Sequence, residues 1–206
     1  MSEGLRAERL RTWRARNWKE LEAIAAELIP ELDPTSEVVE RRFRGELLTP
    51  QEAGTVFERW IMEAFRVGGA TGMYGYTVSM PTGRQVKEQI DGLVADGWQG
   101  FLVESKCLSE PVDFGPIALL NALVEKRVIG TLGLFFSISG YTTPALESTQ
   151  DYRPIRVLLF DLEDLRWLVA RKRKDRMMEL VRRKWLLAVR EGNPTLPVSR
   201  FTGFWE

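Results

Sequence analysis

The chain has 206 residues, a length that suits one domain with extensions, and its 29 basic side chains balance its 29 acidic ones. It contains no histidine, which excludes a Ser-His-Asp triad, a Cys-His pair and any histidine-ligated metal. Its one cysteine, Cys107, excludes an intrachain disulfide and a multi-cysteine zinc site. Any catalysis must therefore depend on carboxylates, lysines, hydroxyls and a hard cation with oxygen ligands.

The distribution of apolar and charged residues predicts a soluble, cytoplasmic protein with no membrane partner. The N-terminal stretch lacks the apolar segment of a signal peptide. The most apolar run, Val128 to Ile138, is much shorter than the roughly 20 residues that a membrane helix needs. Although the net charge is zero, the segment from Arg166 to Arg190 holds ten basic and two acidic residues, a local charge of +8.

The first half of the chain is predicted to form two helices followed by three strands. Apolar residues recur at helical spacing over residues 5–29, and residues 30–48 are typical of a connector. Thr49-Pro50-Gln51-Glu52 is a capping box with proline at the first helical position, which predicts a second helix that ends at Gly68-Gly69. Asp96-Gly97 predicts a two-residue hairpin turn. The strand-like runs cover residues 73–80, 84–94 and 98–107.

The second half alternates helices with strands. The hydrophobic pattern predicts a helix over residues 114–127, a strand over 131–139, a short helix over 142–149 and a strand over 154–160. A long basic helix is predicted over 161–191, followed by an irregular tail. This order favours an α/β fold in which helices flank a mixed sheet.

The predicted hairpin brings chemically useful side chains together. A turn centred on Asp96-Gly97 places Asp91 opposite Leu102, and paired residues share a face of the sheet. Because side chains alternate along a strand, Glu104 and Lys106 lie on the face of Asp91, and Gln89 is opposite Glu104. The other face carries residues expected in the core, Phe101 and Val103.

Two carboxylates and a lysine on one face suit phosphodiester hydrolysis. Two carboxylates can hold Mg²⁺ and leave positions open for water and a phosphate oxygen. The cation polarises the phosphate and lowers the pKa of bound water. A nearby lysine orients or deprotonates that water, or stabilises the charge that develops in the transition state.

The sequence Ile90-Asp91, twelve intervening residues and then Glu104-Ser105-Lys106 resembles the core of PD-(D/E)XK nucleases, and of Mrr-like restriction endonucleases in particular. The resemblance covers about residues 50–165, including the segments 137–147 and 156–165. It implies a restriction-endonuclease-like core of αβββαβ order, with helical N- and C-terminal extensions. The extra acidic residue of the family would fall at Glu58 in the first core helix.

Two positions depart from the family pattern. Ile90 stands where the family name has proline, a frequent and tolerated substitution. The glycine-rich turn that often surrounds the aspartate is reduced to Gly92. Neither change removes a metal ligand.

The resemblance implies a metal-dependent endonuclease of restriction or defence type that hydrolyses DNA with Mg²⁺ or Mn²⁺. Asp91 and Glu104 would bind the metal, Glu58 would assist, Lys106 would position the water, and Gln89 would support the site. Double-strand cleavage usually needs two active sites, so a homodimer is one expected arrangement. The domains would be an N-terminal helical extension at 1–48, the nuclease-like core at 49–165, and a basic helix and tail at 166–206.

Other interpretations stay open. The alternative function is a catalytically silent nuclease-fold module for DNA binding or assembly. Asp91, Glu104 and Lys106 could also form an ordinary solvated strand face with a surface ion pair. Glu52 and Glu63 are alternatives to Glu58 as the acidic residue that the first core helix contributes to the site. Gln89 could be a polar strand residue with no role in the site. Cys107 points away from the site and is rejected as a nucleophile. The candidates for contact with the DNA backbone are Arg84, Lys87, Arg171, Lys172, Arg173 and Lys174.

Overall fold

The computed structural model describes residues 50–79, 87–169 and 176–202. The predicted helix at 5–29, the connector at 30–48 and Thr49 of the capping box lie outside these residues. The domain limits proposed from the sequence, 1–48, 49–165 and 166–206, remain predictions. A helix begins at Pro50, the second residue of the capping box, as predicted.

The described residues form five helices and five strands, and their order follows the prediction as far as Phe160. Most boundaries fall within about three residues of the predicted ones, apart from the C-terminal helix. The elements are α1 (Pro50–Val67), β1 (Thr71–Ser79), β2 (Lys87–Asp96), β3 (Gln99–Lys106), α2 (Phe114–Glu125), β4 (Leu132–Ser137), α3 (Thr143–Asp151), β5 (Val157–Phe160), α4 (Leu162–Val169) and α5 (Arg176–Glu191), followed by a 3₁₀ turn (Val198–Arg200).

The strands form one mixed sheet in the order β1-β2-β3-β4-β5. The first three strands pair antiparallel, and β3, β4 and β5 pair parallel. Helices α2 and α3 make the crossover connections that parallel neighbours require. The predicted α/β class, a mixed sheet flanked by helices, is confirmed, and β3 is its central strand.

Both faces of the sheet are buried in apolar cores. The first core packs α1, α4 and α5 against one face, and the second packs α2 and α3 against the other. Successive residues of β3 alternate between them, because Phe101 and Val103 lie in the first core and Leu102 in the second. The prediction that Phe101 and Val103 are core residues is confirmed.

The predicted register of the β2–β3 hairpin is wrong by two residues. Leu93, not Asp91, pairs with Leu102, because the turn is formed by Gly97 and Trp98. Gly97 has φ +60° and no other type of residue has positive φ in the described chain, so glycine takes the first central position of the turn. An even shift preserves the face of each side chain. The pairing of β2 with β3 ends at Gly92 opposite Val103, so Asp91 and Gln89 lie beyond the paired residues.

The predicted continuous helix over 161–191 is also wrong. The structure has two helices, α4 and α5, and residues 170–175 between them are outside the described part. Asp164 and Lys184 would be about 30 Å apart on one straight helix. Instead, Lys184 Nζ lies 2.5 Å from Asp164 Oδ2. The chain folds back because both helices bury apolar residues in the first core.

Among the described helices, none is both long enough and apolar enough to cross a lipid bilayer.

Candidate active site

The carboxylate of Asp91 is fixed where the β2–β3 hairpin opens. The paired residues run from Asp96 opposite Gln99 to Gly92 opposite Val103. One residue further along β2, Asp91 Oδ2 accepts a hydrogen bond from the backbone N–H of Ser105 at 2.9 Å. Because Ser105 stands between Glu104 and Lys106, this bond holds the Asp91 carboxylate beside both of them.

Glu104 and Lys106 form an ion pair near the carboxyl end of β3. They are two residues apart on one strand, so their side chains leave the strand on the same side. The side chain of Glu104 is 17% exposed and that of Lys106 is 31% exposed, so both are partly withdrawn from water. Charged groups on the central strand of a sheet are costly unless they are paired or functional.

Helix α1 packs closely against β2 next to Asp91. A Cβ atom built on Gly92 would lie 2.3 Å from Met62 Sδ, so only glycine accommodates Met62 at this position without a rearrangement. Glu58 precedes Met62 by one helical turn and therefore lies on the same side of α1. The close contact of the helix with β2 thus places Glu58, which is partly buried, beside the hairpin carboxylates.

Burial raises the pKa values of all three carboxyl groups, and the charge of neighbouring carboxylates adds to the rise at Glu58 and Glu104. The pKa of Glu58 rises from 4.5 to about 7, chiefly through burial and then through the charge of Asp91, while Lys106 opposes the rise. Burial raises the pKa of Asp91 against the effect of the Ser105 N–H bond. Burial and the charge of Asp91 raise the pKa of Glu104. The site therefore holds more negative charge than Lys106 alone neutralises.

Lys106 is the cation that acts on all three carboxylates. Burial alone would lower its pKa, but the bond to Glu104 and the charges of Glu104, Asp91 and Glu58 outweigh burial and raise it. Lys106 therefore stays protonated at neutral pH. With the three carboxylates ionised, the four side chains carry a net charge of −2, which a divalent cation would neutralise.

The raised pKa of Glu58 predicts a pH-dependent gain in stability for Glu58→Gln. Because the folded pKa lies above the unfolded one, ionisation of Glu58 lowers the free energy of unfolding as pH rises from about 4.5 to about 7. We expect the variant to be more stable than wild type by about 1–2 kcal/mol at pH 8, and little changed at pH 4.5. Urea unfolding without divalent cations measures this difference.

Glu147→Gln, at an exposed position on α3, is the control for that comparison. The control should show no such pH-dependent gain. A stability difference for Glu58→Gln that is the same at both pH values would contradict the raised pKa of Glu58.

The structure brings together four of the residues selected from the sequence: Asp91, Glu104, Lys106 and Glu58. The competing Glu63 is engaged elsewhere, since it bonds to Arg66 and Tyr74. Sequence reasoning missed two supporting features, the Ser105 backbone N–H and the contact of Met62 with Gly92. Neither leaves a motif of its own, although the glycine next to Asp91 is a signal for close approach of another element.

The remaining predicted residues are not tested. Gln89 and Lys87 belong to β2, and the structure describes their backbone but not their side chains. The other candidates for DNA contact lie outside the described residues, namely Arg84, Arg171, Lys172, Arg173 and Lys174. The side chain of Glu52 is likewise not described.

Basic residues in the described part of α5 contact the protein itself. Arg182 pairs with Asp96 at 2.6 Å, at the end of β2 away from Asp91. Arg183 pairs with Glu179 at 2.8 Å and also lies over the rings of two aromatic residues. Lys184 is buried. These three of the ten basic residues between Arg166 and Arg190 therefore contribute to the packing of α5.

The donor set fits a hard cation with few protein ligands. In the described ranges, no three Asp, Glu or Cys side chains form a group that could hold a metal by themselves. Asp91 and Glu104 would therefore act as a pair. Mg²⁺ commonly binds through one or two carboxylates and completes its shell with water and substrate phosphate.

Comparisons with known proteins give distant likenesses. No protein-family model and no curated protein sequence match the chain. One similar solved structure is AF1548, a protein of unknown function, with 15% identity and a TM-score of 0.38 over 68% of this chain and 76% of the other. Another is the MspJI restriction endonuclease in complex with a 27-mer oligonucleotide, with 19% identity and a TM-score of 0.35 over 69% of this chain. The aligned part spans 33% of the MspJI chain. Likenesses of this size do not by themselves identify a family or a function.

Proposed function

We propose that the chain is a metal-dependent endonuclease of the PD-(D/E)XK type that hydrolyses DNA phosphodiester bonds, with a role in restriction or defence. The observation that supports the proposal is the convergence of two carboxylates and a lysine around one residue of the central strand. The backbone N–H of Ser105 bonds to Asp91, and the residues on either side of Ser105, Glu104 and Lys106, form an ion pair. An ordinary surface ion pair needs no third, partly buried carboxylate beside it.

Asp91 and Glu104 are the residues that would hold Mg²⁺ or Mn²⁺ in this proposal. A cation bound there supplies polarisation of the phosphate and a lowered pKa for bound water. The two carboxylates would hold that cation beside the central strand, β3. Glu58 adds negative charge from α1 and thereby increases the attraction of the site for a divalent cation.

Lys106 acts as a cation and hydrogen-bond donor in the proposed reaction. Its raised pKa keeps the ammonium group protonated at neutral pH, so it orients the attacking water by donating to it and stabilises the negative charge gained by the phosphate. No histidine is needed for this chemistry, in agreement with the composition. DNA as the substrate, rather than RNA, is supported by the resemblance of the Asp91, Glu104 and Lys106 spacing to DNA nucleases.

Metal binding tests the ligand assignment. We expect isothermal titration calorimetry to detect one Mn²⁺ site in the wild-type chain, and expect Asp91→Asn or Glu104→Gln to weaken binding at least about tenfold, because each removes a charged ligand. Asp96→Asn is a matched control on the same strand, since Asp96 pairs with Arg182 away from the site. It should bind Mn²⁺ as wild type does.

The same titration separates the proposal from its alternative. Absence of Mn²⁺ and Mg²⁺ binding at millimolar concentration would contradict the enzyme assignment and favour a silent DNA-binding or assembly module. Equal weakening by Asp96→Asn would contradict the placement of the site.

A further inference from the structure

Strand β1 has an edge with which none of the described strands pairs, and its own sequence lacks the residues that usually prevent such pairing. It pairs with β2 on one side, and among the described strands nothing pairs with its other side. Natural edge strands are commonly short or carry lysine or proline, which prevent pairing with another chain. The nine residues of β1, TGMYGYTVS, include no charged residue and no proline. Residues 71–75 are exposed, including Met73 at 51% and Tyr74 at 47%.

The sequence of β1 is close to symmetric about Gly75. Tyrosine stands on both sides of this glycine, as Tyr74 and Tyr76, and hydroxyl residues stand at both ends, as Thr71 and Ser79. An antiparallel copy centred on Gly75 would place tyrosine opposite tyrosine and threonine opposite serine. Such cross-strand pairs stabilise sheets, and an uncharged strand has no like charges to repel. This symmetry favours a second copy of the chain over an unrelated strand.

We propose that β1 pairs with β1 of a second copy about a twofold axis through Gly75, which joins the two sheets into one of ten strands. This inference deepens the proposed function and rests on it for its consequence. In the β1–β2 register Gly75 lies between the pairs Tyr74–Gly92 and Tyr76–Ile90, which is the position opposite Asp91. The axis therefore relates the two active sites directly.

The pairing fixes the separation of the two sites. The two Asp91 residues lie three strand spacings apart, about 14 Å, and a twofold axis perpendicular to the sheet puts them on the same face. The major groove of B-DNA is about 12 Å wide. Two sites at this separation would each act on one strand of a duplex.

Sedimentation velocity of the full chain tests the interface. The wild type should be a dimer at micromolar concentration. Met73→Lys combined with Gly75→Lys should raise the dimer dissociation constant about tenfold or more, because two lysines then lie opposite each other at the axis and two more lie nearby on the same face. The fold tolerates a side chain at Gly75, since a Cβ would lie 3.6 Å from the Ile90 carbonyl oxygen, an ordinary contact. Far-UV circular dichroism checks that the variant is folded.

The matched control adds the same charge on α2. Gly115→Lys combined with Leu119→Lys places lysines where a Cβ on Gly115 meets nothing within 4 Å and where Leu119 is 63% exposed. This control should dimerise as wild type does. A monomeric wild type, or a dimer that the β1 lysines do not weaken, would overturn the proposal.

Cysteine cross-linking gives a second, independent test. Gly75→Cys in a Cys107→Ser background should form a disulfide-linked dimer on mild oxidation, because residues opposite each other in antiparallel strands lie within disulfide range. Gly115→Cys in the same background should stay monomeric on a non-reducing gel. Absence of the Gly75 cross-link would also overturn the proposal. Neither test involves metal or DNA, so loss of the interface and absence of nuclease activity are distinguishable results.

Discussion

Replacing Lys106 with alanine is expected to slow the nicking of supercoiled plasmid about 10²–10³-fold, the effect of removing one group that stabilises transition-state charge. The four-residue site has a single positive charge, and Lys106 supplies it. The variant should keep the wild-type fold, because Lys106 is partly exposed and pairs with Glu104 at the margin of the core. Initial rates at saturating Mg²⁺, with circular dichroism of both proteins, measure these effects.

Lys126→Ala is the matched control for the Lys106 variant. Lys126 is exposed at the end of α2, near the start of β4, whereas Lys106 lies at the opposite end of the neighbouring parallel strand. The control should cleave at the wild-type rate. Activity of Lys106→Ala within tenfold of wild type would exclude the proposed role of the lysine.

Lys184→Ala is expected to reduce the free energy of unfolding by about 3–4 kcal/mol at pH 7, because it leaves a buried carboxylate without its cation. The side chains of Lys184 and Asp164 are each 1% exposed. Lys184 Nζ also donates to the Leu196 carbonyl oxygen at 2.8 Å, and Asp164 Oδ1 accepts from the Val198 N–H at 2.7 Å. The pair therefore joins α4, α5 and the C-terminal segment.

Two comparisons make the Lys184 measurement specific. Arg182→Ala removes an exposed pair on the same helix and should cost less than about 1 kcal/mol. Lys184→Met combined with Asp164→Asn removes both charges and keeps an acceptor for Val198, so it should recover much of the lost stability. If urea unfolding shows that Lys184→Ala lowers the free energy of unfolding no more than Arg182→Ala does, the buried pair contributes no more stability than an exposed pair.

The order of elements could be predicted because each one has a strong local signal. The capping box Thr49-Pro50-Gln51-Glu52 marks the start of α1, and the helical spacing of its apolar residues distinguishes it from the strands, in which side chains alternate. Glu104 and Lys106 could be selected because charged residues interrupt an otherwise apolar central strand. These signals are local, and the structure confirms the α/β class that they predict.

The hairpin register depends on a choice that the sequence leaves open. An Asp-Gly turn of this type would require positive φ at Asp96. In this turn the chain has positive φ only at Gly97, and Trp98 is the second turn residue. The difference moves the pairing by two residues. Because the shift is even, the paired residues keep the faces predicted for them, and the shared face of Asp91 and Glu104, which lies beyond the paired residues, stays a prediction.

The C-terminal helices and the position of Glu58 depend on tertiary contacts. Helical periodicity runs through residues 161–191. The apolar residues of α4 and α5 can be buried in the same core, and Asp164 can pair with Lys184, only when the chain folds back. Glu58 reaches the hairpin because Met62 occupies the space that a side chain on Gly92 would fill. Contacts between residues far apart in the sequence can change the structure that local hydrophobic periodicity predicts, and no short sequence motif marks them.

The most direct test of the central claim is a plasmid cleavage time course with the wild-type chain in Mg²⁺, in Mn²⁺ and in chelator. The site predicts nicking or linearisation with either metal and none in chelator, since two carboxylates without a cation leave the phosphate unpolarised. Failure to cut methylated, unmethylated and single-stranded DNA under all conditions, or cutting that persists in chelator, would contradict a metal-dependent nuclease centred on Asp91, Glu104 and Lys106.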